Sequence, residues 1–316
     1  MKVSVLVFAY NHVRFIRQAL DSVLMQQTNF DFEVVVSEDC STDGTREIVF
    51  QYARAHPDKI RLLLSAVNIG AARVDERGFN AARGEYIALL DGDDYWTSPH
   101  KLQEQVEFMG THPEYSLCFH YQEYVDAEGR RMLYQYPHRS KLCWSLKDIL
   151  EDCTIETSSA LLRRSMLPPL PDWYFLCPFG DFPIWVLCVQ NGPAGYLDRS
   201  LGAYRIHASG SFNGLKEWQQ KLYIQYTYRH VYRHLDPQHQ ALVAKSFARR
   251  WASLAMQRRS EGDRLASREI AREGLADFPH DLRLQLLVHV SALYALLRSM
   301  WLVWKRFCGW KVQDKD

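Results

Sequence analysis

The chain has 316 residues, enough for one large α/β domain with an appendage or for two modest domains. Apolar residues make up 47% and charged residues 24%, so a real hydrophobic core is expected. A net charge of +1 carries no basic excess, which argues against nucleic acid as a partner.

The first 90 residues alternate strand and helix. Lys2 to Ala9 is a short β-branched apolar run that suits a buried parallel strand. Asn11 is placed to cap a helix in which Ile16, Ala19, Leu20, Val23 and Leu24 fall at helical spacing. Phe32 to Val36 is a second buried strand that runs into Ser37, Glu38 and Asp39. Asp43 reads as the cap of a helix with Ile48, Val49 and Tyr52 inward. Ile60 to Leu64 is a third strand, Asp75 to Ala82 a helix, and Tyr86 to Leu90 a fourth strand. Such alternation implies crossover units and a mostly parallel sheet covered on both faces. From about Tyr115 to His207, short strands (Ser116 to Tyr121, Ala160 to Arg163, Gly195 to Leu197, Ala203 to Ile206) mix with two helical stretches. After a polar loop at Ala208 to Gly214 the pattern is wholly helical.

The seven cysteines (Cys40, Cys118, Cys143, Cys153, Cys177, Cys188 and Cys308) are scattered, without a C-x-x-C pair. They read as reduced thiols of a cytoplasmic protein, not as a disulfide framework or a zinc site. The N-terminus lacks the features of a signal peptide, and no apolar run reaches the roughly 18 residues of a membrane span. Leu284 to Trp304 is apolar but broken by His289 and Arg298, with Lys305, Arg306 and Trp310 beyond. It reads either as a helix lying on a membrane surface, on the inner face, or as a helix of a small bundle.

The polar clusters fall directly after the strands, where open α/β sheets bind ligands. Chief among them is Asp91-Gly92-Asp93-Asp94. Like charges this close repel each other unless a cation sits among them. Mg²⁺ and Mn²⁺ take oxygen ligands and leave positions open for phosphate oxygens. A D-x-D at a strand end is therefore suited to bridging such an ion to a diphosphate. The competing reading is a solvated acidic turn in which Asp94 caps a helix.

Other motifs accompany it in order: Tyr10-Asn11, then Glu38-Asp39-Cys40-Ser41-Thr42-Asp43-Gly44-Thr45, then Asn68-Ile69-Gly70, then Ala82-Arg83-Gly84-Glu85-Tyr86 leading into the D-x-D. Together they resemble the nucleotide-binding half of family 2 glycosyltransferases, of the bacterial surface-polysaccharide type. The resemblance is close to about residue 110 and looser to about 210. It implies a GT-A fold, α/β and Rossmann-like, over residues 1–212 (1–110 nucleotide-sugar half, 111–212 acceptor half), followed by a helical domain at 213–316.

The resemblance also implies roles. Phe8, Ala9 and Tyr10 contact the nucleoside, and Asp39 accepts from the imino group of a uracil-type base. Glu38 departs from the usual first aspartate of that pair and either binds or only caps a turn. Asp91 lies near the ribose and shares the Mn²⁺ or Mg²⁺ ion with Asp93, its direct ligand, and Gly92 lies by the donor. Gly70 lies where the chain approaches the donor. Arg73 either holds a phosphate or sugar oxygen or pairs with Asp75 or Glu76. Asp181, in a hydrophobic loop ahead of a helix, is the general base of an inverting transfer, and the same residue can also be a helix cap. His207 completes the metal's coordination or touches the diphosphate, and Arg205 neutralises the leaving group. Thr157, Ser158 and Trp185 fall where the acceptor is often bound. The implied partners are a nucleotide-diphosphate sugar donor, with UDP favoured, and a saccharide or lipid-linked saccharide acceptor. A non-catalytic sugar-nucleotide-binding scaffold of the same fold is the alternative. A nucleotidyltransferase lacks support, because no glycine-rich basic loop follows the first strand.

Overall fold

A computed structural model describes residues 1–133, 141–152 and 155–289. The chain divides into two compact units. The first comprises Met1–Lys216 with His230–His234; the second comprises Glu217–Arg229 and the described residues from Leu235 onward.

The first unit is built on one mixed sheet. Strands β1 (Val3–Ala9), β2 (Phe32–Glu38), β3 (Ile60–Leu64) and β4 (Tyr86–Asp91) run parallel in the order β3-β2-β1-β4. Helices α1 (Ile16–Leu24), α2 (Thr45–Ala55) and α3 (Ala71–Ala81) make the crossovers between them. Alternate residues of β1 explain why its sequence is continuously apolar. Val3, Val5, Val7 and Ala9 pack with Ile16, Leu20 and Val23 of α1 and Val49 of α2. Leu6 and Phe8 face the other way, onto Gly78 of α3. Both faces of the strand are therefore buried, as parallel sheets require.

Beyond β4 the sheet is mixed. It continues through β8 (Leu161–Arg163), β6 (Leu117–Val125), β9 (Ala194–Arg205) and the short β5 (Tyr95–Trp96), with β7 (Cys143–Trp144) also on β9. Every pairing there is antiparallel but that of β6 with β9. Helices α4 (Lys101–Thr111), α5 (Leu146–Glu151) and α6 (Asp181–Val189) belong to this half. The two late strands expected at 195–197 and 203–206 are one long strand. It pairs with β6 in parallel, and the register slips where His120 faces Leu197 but Tyr121 faces Ser200.

Asn11 does not cap α1. That helix starts four residues after Asn11's neighbour His12, with Phe15 at its cap position. Asn11 instead takes a left-handed conformation (φ 56°), and its side-chain carbonyl accepts from the Thr42 amide at 2.9 Å. Gly44, not Asp43, takes the cap position of α2; Asp43, one residue earlier, accepts from the Thr45 amide, and its second oxygen accepts from the Val13 amide.

The second unit is helical, built from α7 (Glu217–His234, whose last turn belongs to the first unit), α8 (Pro237–Ser260) and α9 (Arg264–Asp277). Among the described residues no helix is long and apolar enough to cross a membrane. Most of the Leu284 to Trp304 segment, with Cys153 and Cys308, lies outside the described residues.

Candidate active site

The register of the sheet gathers the motifs. Ala9 stands opposite Glu38, and Phe8 opposite Asp91, so the polar ends of β1, β2 and β4 share one edge. Across that edge β5 pairs with β9, which brings the residues after β9 to the D-x-D turn.

Asp39 is buried, and its carboxylate organises the neighbouring loop. Oδ1 accepts from the Ser65 hydroxyl and the Ile69 amide, both at 2.9 Å, and Oδ2 accepts from the Gly70 amide at 3.0 Å. One acceptor site remains on Oδ2, since each carboxylate oxygen offers about two lone pairs. Gly70 has φ 83°, the left-handed region that glycine adopts without strain. Of the three residues at the end of β1, Tyr10 is the accessible one, at 43% exposure. Ala9 is buried, and the Phe8 ring packs on α3 while its carbonyl accepts from the Gly92 amide at 2.8 Å.

In the D-x-D turn each aspartate meets a different environment. Asp94 is neither solvated nor a helix cap. It is buried, accepting from the Ser158 hydroxyl at 2.5 Å and from the Arg205 amide at 2.8 Å, and so ties β9 to the turn. Asp93 faces two imidazoles, His207 Nε2 at 3.0 Å and His12 Nε2 at 3.6 Å from Oδ2. These partners, with its own backbone, hold its carboxyl below the usual range against the opposing effect of burial. Asp91 is pushed well above its ordinary value, first by burial, then by Asp93, Asp75 and Asp181, and eased by a hydrogen bond from Thr157. Asp181 opens α6, its carboxylate accepting from the Phe182 amide at 2.7 Å, and burial lifts its carboxyl. Asp91 thus lies within reach of the charges of both Asp93 and Asp181. His207 sits beside Asp93 with its ring tilted on Phe15 and Nδ1 at 2.9 Å from the Ser209 hydroxyl.

Four expected ligand contacts are not available as the residues stand. Both oxygens of Glu38 are committed, one to the Ser41 amide and the other to Arg46, and the residue is fully buried. Arg205 is spent on bracing. Its guanidinium donates to the carbonyls of Asp93, Asp126 and Ala127 and to Gln18, between the rings of Phe15 and Tyr95. Ser158 is buried beneath Asp94, its carbonyl accepting from the Trp96 indole. Trp185 is fully buried in α6 and cannot touch an acceptor. Arg73 is exposed, paired with Glu76 at 2.9 Å and lying over the Phe175 ring at 3.9 Å.

Three residues at the site escape a reading of the sequence: His12, Asp75 and Tyr174. Asp75 had a signal, since it lies four residues before the buried Phe79 and so on the inner side of α3. Burial and the nearby Asp181 push its carboxyl up to about 7, although the Tyr174 hydroxyl donates to Oδ2 at 2.6 Å.

Among the described residues no three His, Cys, Asp or Glu side chains stand close enough to hold a metal by themselves. The donor set nevertheless fits Mg²⁺ or Mn²⁺, which are usually held by one or two carboxylates with substrate phosphates completing the shell. The crowding of Asp91 by three other carboxylates is the imbalance that such an ion relieves.

Comparison with known proteins agrees with this architecture. Rv1520 of Mycobacterium tuberculosis, an uncharacterised protein, is 36% identical over 211 residues, which are 66% of this chain and 59% of that one. The Escherichia coli UDP-Glc:alpha-D-GlcNAc-diphosphoundecaprenol beta-1,3-glucosyltransferase WfgD is 27% identical over 68% of this chain and 81% of its own. Among solved structures, S. aureus TarS 1-349 in complex with UDP-GlcNAc superposes with a TM-score of 0.59 at 17% identity, covering 93% of this chain and 92% of that one. The mannosyltransferase PcManGT from Pyrobaculum calidifontis, in complex with GDP-Man and Mn²⁺, gives 0.59 at 19% identity, covering 93% and 80%. The fold is GT-A. Residues 4–167, more than half of the chain, match the family model for glycosyl transferase family 2, and the chain belongs to that family.

Proposed function

We propose that the chain moves a sugar from a nucleotide-diphosphate donor onto an acceptor hydroxyl, with inversion, assisted by Mn²⁺ or Mg²⁺. The observation that carries this reading is the convergence of Asp91, Asp93 and Asp181 at one sheet edge, beside the nucleotide loop organised by Asp39. Asp93 and Asp91 would hold the ion, with His207 beside them. The bound ion supplies neutralising charge to the diphosphate. Asp39 reads the base through its remaining acceptor site, which favours a uracil-type donor. The nucleotide named for WfgD and bound to TarS supports UDP, while that bound to PcManGT is GDP.

Asp181 takes the proton of the acceptor hydroxyl. A carboxyl lifted above its ordinary value accepts a proton more readily near neutral pH than an exposed aspartate does. The acceptor is read as a saccharide, free or lipid-linked, and the name of WfgD supports the latter. The catalytic unit is read as residues 1–212.

The test is calorimetric titration of UDP, GDP and dTDP, each in Mn²⁺ and in EDTA, into wild type and Asp93→Ala. We expect one nucleotide to bind in Mn²⁺ only, and Asp93→Ala to lose that binding. Equal binding in EDTA would overturn the role given to the ion. Asp181→Asn should bind the donor normally and lose transfer by about 1,000-fold or more.

A further inference from the structure

The segment that carries Asp181 is held from one side by a hydrogen bond that no motif announces. The Tyr174 hydroxyl, in the 3₁₀ turn Asp172–Leu176, donates to Asp75 on α3 at 2.6 Å. Gly180, the residue before Asp181, lies directly on that bond. A Cβ placed there would stand 2.2 Å from the Tyr174 hydroxyl and 2.6 Å from Asp75 Oδ2. Tyr174 is fully buried. The approach therefore has no slack, and Gly180 is a glycine because the Tyr174–Asp75 pair occupies the space a side chain would need. Asp75 and Asp181 also lie close enough for their charges to interact.

We propose that Asp75 and Tyr174 form a clasp across Gly180 that fixes where Asp181 points, making both of them positioning residues for the transfer. The inference rests on the reading of Asp181 as the base. The bond, not the charge of Asp75, is what the clasp needs. An asparagine at 75 still offers an oxygen to the Tyr174 hydroxyl, whereas alanine does not. Misplacing a reacting group by about 1 Å costs on the order of 100-fold in rate without weakening substrate binding.

The experiment uses the full chain in Mn²⁺ and follows nucleotide release from UDP-glucose, UDP-GlcNAc and GDP-mannose with water as acceptor. The variants are Tyr174→Phe, Asp75→Ala, Asp75→Asn and Asp181→Asn. We expect Tyr174→Phe and Asp75→Ala to lower kcat by about 10- to 100-fold with donor KM within about twofold, and Asp75→Asn to keep most of the wild-type kcat. A Tyr174→Phe enzyme with wild-type kcat, a rise in KM at constant kcat, or an Asp75→Asn enzyme as poor as Asp75→Ala would each overturn the clasp while Asp181 stands. An active Asp181→Asn, or a wild type that turns over none of the three donors, overturns the base reading and the clasp with it. Because Asp75→Ala can unfold, Gly180→Ala is compared in the wild-type and Tyr174→Phe backgrounds by thermal unfolding. Its destabilisation should be clearly smaller where the hydroxyl is gone, and equal losses would also overturn the clasp.

Discussion

Gly92 shows how little freedom a residue in the D-x-D turn has. A Cβ there would lie 2.8 Å from the Phe8 carbonyl and 2.6 Å from His12 Nδ1. The carbonyl belongs to the central strand and cannot retreat. Gly92→Ala should therefore cost about 1 to 3 kcal/mol and displace Asp91 and Asp93 together. Thermal unfolding would show the first effect and loss of Mn²⁺-dependent nucleotide binding the second. Residues at this scale were unequally legible. Asp91 and Asp93 could be read because adjacent carboxylates announce their own repulsion. Tyr174 and Asp75 are 99 positions apart and meet only through the fold. Arg205 misled, and Glu38 stayed open between binding and capping a turn, for another reason. A charged residue inside a motif looks the same whether it faces a ligand or braces the loop that does.

Helix α4 opens on a lysine that the sequence presents as an ordinary helix start. Lys101 is fully buried over the Trp96 ring at 4.1 Å, and its ammonium has no hydrogen-bond partner. Burial pushes it down to about 7 from 10.5. The unfolded chain keeps that proton up to the higher value and the folded chain releases it at the lower. Between the two the folded state binds fewer protons, so stability declines as pH falls toward 7. Lys101→Met should accordingly stabilise the protein by about 1 to 3 kcal/mol at neutral pH, with the gain shrinking as pH approaches 10.5. Urea denaturation at two pH values checks this, and a gain independent of pH would sink it. Elements were easier to read than such residues, since β1 to β4 are apolar runs and their helices follow from apolar periodicity, although α3 starts at Ala71, four residues ahead of the expected Asp75. The long β9 was harder, because Asp198 and Arg199 are polar and exposed where its register slips, and they break one strand into two for a reader of the sequence.

In the whole molecule, all the residues assigned to the site belong to the first unit. The second unit has its own lock. Arg229 of α7 is buried over Trp251, donating to Glu273 and Asp277 of α9, both at 2.6 Å. Arg229→Ala removes both charged hydrogen bonds together with the ring contact and should cost about 1.5 to 3 kcal/mol. A calorimetric scan should show the loss, while nucleotide affinity at low temperature should persist. Loss of affinity in folded protein would mean that the donor site draws on more than the first unit. One bond network described above also limits how such a chain can diverge. The loop at Ser65 to Gly70 hangs from a carboxylate just past the end of β2, at Asp39. A relative's version of that loop could not be transplanted as a cassette. The loop would have to evolve by paired substitutions, with position 39 changing in step with the segment it supports.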